Sequence, residues 1–194
     1  IWPRLSSCSG LLDLYLQKKE SYYHTKSFLS DEPMVYILPH WNFKGQEGRE
    51  IRVVVYTNCD SVELYLNDEL IGKKEVEVCG HAEWNVPFKE GRLVAKGYNN
   101  NELVALDNRV TTKDPYQLKL ELETKDVQAN GKDFALFTCS VVDIDGNEIP
   151  NAEGMINFIC NGVGSIYSTG SDTSDHTSPL LSYRKMRAGK VTVA

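Results

Sequence analysis

The residues of this chain that could carry chemistry are few and poorly spaced for it. Ser171, Asp172, Ser174, Asp175 and His176 bring the residue types of a hydrolytic triad into one short run. A nucleophile, its base and the orienting carboxylate are normally assembled from separated segments on a rigid scaffold, so the run reads as an ordered polar loop. Asp143-Ile144-Asp145-Gly146-Asn147 opens like a calcium loop but lacks the third acidic position, and Gly154 stands where the bidentate glutamate belongs. It reads as a turn. His24, His40, His81 and His176 form neither an HxH nor an HExxH pair, and Cys8, Cys59, Cys79, Cys139 and Cys160 contain no CxxC. No metal or cofactor is therefore expected. Cys139 and Cys160 stand beside Phe137 and Phe158 and read as small core residues, with a bridge between them left open. No two carboxylates fall at strand ends as a glycosidic acid and nucleophile would. Trp41, Phe43 and Trp84 are the aromatic residues able to present a flat apolar face to the C–H side of a sugar ring. Trp84, between Ala82 and Val86 on one strand face, reads as core, which leaves Trp41 as the candidate for carbohydrate contact.

Composition narrows the partners. A net charge of -6 with scattered Lys and Arg gives no footprint for a phosphate backbone, so nucleic acid is not expected. No run approaches the ~20 apolar residues of a membrane span. The hydrophobic share of 41% and charged share of 25% are those of a globular chain.

The elements that would position these residues are mostly strands. Leu11, Leu12, Tyr15, Tyr22, Tyr23 and Phe28 suit a helix within residues 11–29, which the wholly polar stretch Gln17 to Ser21 allows to begin only around Lys19. Beyond Pro33, short alternating runs separated by turn residues take over. Strands are expected at 34–38, 51–56, 62–66, 70–78, 82–86, 92–98, 102–106 and 109–112, with Asn67-Asp68 as a tight hairpin turn. Thr112 to Pro115 reads as a linker. After it, Leu118, Leu120 and Leu122 alternate with Lys119, Glu121 and Glu123, and further strands are expected at 134–142, 155–160, 164–168 and 191–194, with a polar loop at 168–178. The fold class is all-β: two tandem immunoglobulin-like β-sandwich domains, at 31–113 and 114–194, behind a stub at 1–30. The missing initiator Met and the strand just begun at Val191 suggest a piece of a longer protein, truncated in its last sandwich. The stub is expected to pack poorly.

Several strings go further. Residues 33–43, PMVYILPHWNF, and 51–67, IRVVVYTNCDSVELYLN, are similar to the PHWNW and YTNCDSVELFLNG patterns of glycoside hydrolase family 2 β-galactosidases, in the region following the catalytic barrel. Trp84 to Phe88 and Gly91-Arg92-Leu93 continue the likeness. Trp2-Pro3-Arg4, Ser6-Ser7, Gly10, Leu12-Asp13-Leu14 and Lys18 resemble the family's stretch that closes the last βα unit of a (β/α)8 barrel, although Tyr15-Leu16-Gln17 departs from its pattern. Asp143 to Pro150, Gly170-Ser171-Asp172, Asp175-His176-Thr177 and Arg184-Lys185-Met186 resemble its downstream signatures. The resemblance implies that the stub is a remnant of that barrel, which would be the chain's main partner. It also implies retaining hydrolysis of β-galactosides by two barrel glutamates upstream of Ile1, and no catalytic residue here. Trp2 would wall the pocket for the terminal sugar. Rival readings are a carbohydrate-binding module using Trp41 and a structural or adhesive immunoglobulin-like tandem.

Overall fold

Alternation of apolar and polar residues places one face of each central strand against a partner layer, and the computed structural model has that arrangement. It describes residues 9–171 and 175–194. Trp2, Cys8, Asp172 and Ser174 lie outside the described residues. The chain divides into two compact units, Lys18–Thr111 and Thr112–Ala194, the latter including residues 9–17.

The first unit contains helix α1 (Glu20–Leu29) and strands β1 (Val35–Leu38), β2 (Glu50–Thr57), β3 (Ser61–Leu66), β4 (Glu69–Glu75), β5 (His81–Pro87), β6 (Arg92–Asn99) and β7 (Glu102–Val110). They form antiparallel sheets of order β1-β2-β5 and β4-β3-β6-β7. Between them lie Ile37, Val53, Val55, Val62, Leu64, Val86, Leu93 and Ala95. Asn67 and Asp68 both adopt positive φ between the paired residues Leu66 and Glu69, the twist that matches a two-residue hairpin. The strands expected at 102–106 and 109–112 are one continuous β7. Its polar interruption serves a neighbour: Asp107 Oδ2 accepts the Ile37 amide at 2.8 Å, Arg109 Nη2 donates to the Ile37 carbonyl at 2.8 Å, and the two side chains pair at 2.8 Å. The Ile37 amide and carbonyl on the open edge of β1 are thereby satisfied.

The helix expected within 11–29 begins only at Glu20. Asp13 Oδ1 accepts the amides of Tyr15 and Gln17 at 2.8 and 2.9 Å, and Leu16 takes φ 64°. This side-chain capture competes with helical bonding and closes a turn instead. Helix α1 rests on the first sheet through Tyr23, whose ring stacks on Tyr36 at 3.6 Å, and His24, 4.7 Å from Tyr56.

The second unit contains β8 (Gln117–Leu122), β9 (Phe137–Val142), β10 (Met155–Asn157), β11 (Thr169–Gly170), β12 (Tyr183–Lys185) and β13 (Lys190–Val193), in a sheet of order β11-β13-β9-β8 and a pair β10-β12. The strand expected at 164–168 is irregular, and its pairing role falls to β11. Cys160 lies outside any strand and is exposed, while Cys139 is buried, and both are free thiols. The core reading therefore holds for Cys139 alone. Leu118, Leu120 and Leu122 are 56%, 56% and 57% exposed on β8, an edge strand paired with β9 alone, so their alternation with Lys119, Glu121 and Glu123 does not mark a buried face.

Candidate functional site

The strings that suggested a family resolve into hydrogen bonds that hold the backbone. In the first unit, Asn58 Oδ1 accepts the Met34 amide at 2.8 Å while its Nδ2 donates to the carbonyls of Ser30 and Glu32 at 2.8 and 2.9 Å. Thr57 Oγ1 donates to Met34 O at 2.6 Å. Asp60 Oδ2 accepts from the Asn100 amide at 2.9 Å, joining two turns. Asn58→Ala removes three bonds at the exit of α1. It is expected to destabilise the first unit by about 1–3 kcal/mol in a urea titration followed by tyrosine and tryptophan fluorescence.

Trp41 is a core residue rather than a sugar platform. It is 0% exposed, its Nε1 donates to Lys89 O at 3.0 Å, and its ring lies 5.3 Å from Phe88. The chain turns inward after β1, so neither face of the indole is free to stack. Phe43 and Trp84 are partly buried against the same cluster. Lys74 Nζ also sits 5.4 Å from the Trp84 ring centroid.

In the second unit, Asp143 fastens the turn after β9. Its Oδ2 accepts the Lys113 amide at 2.9 Å and Asn147 Nδ2 at 3.2 Å, and its Oδ1 accepts the Asp145 and Asn147 amides at 3.0 and 2.9 Å. Burial pushes this carboxyl up, but the Lys113 and Asn147 donors outweigh it and hold it below its ordinary value. A depressed folded value means that the carboxylate contributes stability above its unfolded value, about 3.9, and loses it as pH falls through the folded one. Acid unfolding of this unit should therefore steepen below about pH 4, and Asp143→Ala should flatten that limb when ellipticity is followed against pH.

The densest polar cluster surrounds Arg184 on β12. Its guanidinium, with the side chain 2% exposed, meets Asp175 Oδ2 at 2.9 Å. It also donates to the carbonyls of Thr169 at 2.6 Å, Ser178 at 2.7 Å and Thr177 at 3.2 Å. Asp175 accepts the Ser171 hydroxyl at 3.1 Å and the Thr177 amide at 3.0 Å. Burial raises the Asp175 carboxyl, yet the Thr177 donors, the Arg184 charge and Ser171 together leave it below its ordinary value. Asp175 of the triad-like run is thus the counter-ion of a buried arginine, an ionised acceptor rather than the orienter of a histidine base. Sequence reasoning missed Arg184 as the organiser, and its place in the RKM string was the signal.

Residues 9–17 are fixed to this cluster rather than loose. Tyr15 donates its hydroxyl to Thr169 O at 2.8 Å, and Gln17 Nε2 donates to Thr138 Oγ1 at 2.9 Å. Clefts of about 40 Å³ beside Tyr15 and Arg184, 130 Å³ beside Leu14 and Phe134, and 230 Å³ beside Glu153 and Arg187 are smaller than the ~300 Å³ at which ligand pockets begin. Among the described residues no three His, Cys, Asp or Glu come together as a metal site.

The fold and its polar networks define a class: paired all-β sandwich units whose conspicuous polar residues hold backbone. Residues 118–194 match glycoside hydrolase family 2 C-terminal domain 5, and residues 48–105 match a domain of unknown function, DUF4982. The chain is 32% identical over 167 residues to beta-galactosidase BoGH2A of Bacteroides ovatus, a match covering 85% of this chain and 19% of that protein. It is 33% identical over 162 residues to a beta-glucuronidase of Formosa agariphila, covering 81% of this chain and 16% of that one. A beta-glycosidase from Bacteroides vulgatus superposes with a TM-score of 0.91 at 28% identity, covering 99% of this chain and 25% of that structure. The chain belongs to glycoside hydrolase family 2 and corresponds to a C-terminal region of its glycosidases. It spans less than a fifth of the length of both curated relatives.

Proposed function

We propose that this chain is a non-catalytic region of a retaining family 2 glycosidase, whose catalytic barrel is encoded upstream, and that its sandwich units brace that barrel or shape access to it. The observation that carries this reading is the match over most of this chain to glycosidases of which it covers under a fifth. The polar clusters support it, since Arg184, Asp143 and Asn58 direct most of their hydrogen bonds to backbone and Asp175 serves as the counter-ion of Arg184. Residues 1–30 are the remnant of the last βα unit on this reading, and Trp2 is the residue that would touch the terminal sugar. Leu14 and Leu16, 66% and 68% exposed on the segment that Tyr15 and Gln17 fasten, offer an apolar surface to a further protein layer.

The substrate we favour is a terminal β-D-galactoside. A β-glucuronide is the second reading, because identity to the beta-glucuronidase is as high as to the beta-galactosidase. Parallel assays of the full-length gene product on nitrophenyl β-galactoside and β-glucuronide separate them: preference for the glucuronide would remove the first reading.

A further inference from the structure

The way in which residues 9–17 are held gives the second unit a role beyond bracing. Thr169 O is the shared point. It accepts Arg184 Nη2 at 2.6 Å and the Tyr15 hydroxyl at 2.8 Å, so both of its lone pairs are engaged. The Arg184 guanidinium fixes that carbonyl from inside, through its further bonds to Asp175 and to the carbonyls of Thr177 and Ser178. The neighbouring Gly170 makes room for the tyrosine: a Cβ there would lie 1.9 Å from Tyr15 Cε2 and 2.5 Å from Cζ. No positive φ is involved at Gly170, so the glycine serves close approach rather than backbone conformation. Gln17 Nε2 on Thr138 Oγ1 supplies a second fastening, and the Asp13 turn keeps Tyr15 and Gln17 together.

We infer that Tyr15, Gly170 and Arg184 form a clamp through which the second sandwich unit positions the segment leaving the last strand of the catalytic barrel, making them positioning residues for glycoside hydrolysis. The catalytic half of this inference rests on the function proposed above, while the clamp itself rests on the geometry alone. A barrel loop held at one carbonyl to hydrogen-bond precision keeps substrate-facing groups at the strand end in register. A displacement of about 1 Å in such a segment is enough to cost on the order of 100-fold in rate.

Two variants separate the parts. Tyr15→Phe removes one hydrogen bond and leaves the ring seated, and amide exchange of residues 9–17 in this chain should quicken about three- to ten-fold, with β9 and β13 unchanged. Gly170→Ala expels the ring. It should bring exchange of the segment close to that of free peptide, and in the full-length gene product should lower kcat at least ten-fold while KM on the nitrophenyl glycoside moves less than two-fold. Loss of global stability alone would instead lower Tm without that split. Unchanged exchange in both variants overturns the clamp. Faster exchange with unchanged kcat in Gly170→Ala overturns the positioning role. A wild-type full-length protein that is inactive on every β-glycoside tested overturns the functional reading and the positioning role with it, while the exchange data still decide the clamp.

Discussion

Replacing Arg184 with methionine is expected to destabilise the second unit by about 3–5 kcal/mol, the range for removing one partner of a buried ion pair. The magnitude follows from what remains behind. Asp175 keeps its charge, with Ser171 and Thr177 as its remaining donors, and the buried Thr169 carbonyl is left with the Tyr15 hydroxyl alone, while the carbonyls of Thr177 and Ser178 lose their Arg184 donor. Methionine preserves much of the side-chain volume, so the loss reports charge and hydrogen bonding rather than a cavity. Adding Asp175→Asn to Arg184→Met should recover part of the loss, because the orphaned charge disappears. Denaturant titration of the single and double variants gives the coupling directly. A loss below about 1 kcal/mol, the level of an exposed ion pair, would mean that Arg184 is solvated.

Trp41→Ala is expected to cost the first unit about 3–5 kcal/mol, the usual penalty for emptying a large aromatic site. The indole is fully buried against Phe88 and is tied by its N–H to Lys89 O, so truncation removes area, leaves a cavity and frees a carbonyl. An exposed sugar platform would behave otherwise, losing glycan affinity with stability unchanged within about 0.5 kcal/mol. Melting curves of the variant, read beside a galactoside titration of the wild type, separate the two outcomes.

The contrast between Trp41 and Asn67-Asp68 marks what could be read without coordinates. The hairpin was legible because its signal is local: alternation before and after, with two residues that tolerate positive φ between paired strand ends. Most first-unit strands were legible for the same reason. The burial of Trp41 depends on Phe88 and Lys89, contributed by a later segment, and no periodicity around Trp41 reports that. Asp107 and Asn108 were read as a break between strands because the partner of Asp107, Ile37, is distant in sequence. Of the helix expected within 11–29, only the part after the polar Gln17 to Ser21 stretch formed, since Asp13 captured the amides that an earlier start would have used. In the second unit β12 was missed because three residues carry too little alternation to register, although Arg184 on it organises the densest polar network. The Ser171 to His176 run reads from sequence as a polar loop, but the role of Asp175 within it required seeing Arg184 beside it.

The measurement that tests the central claim most directly is a paired glycosidase assay of this 194-residue chain and of the full-length gene product, on nitrophenyl β-galactoside and β-glucuronide under identical conditions. The account predicts turnover by the full-length protein and none above background by the chain. Turnover by the chain alone would contradict the claim that it lacks catalytic residues, and an inactive full-length protein would contradict its placement in a working glycosidase.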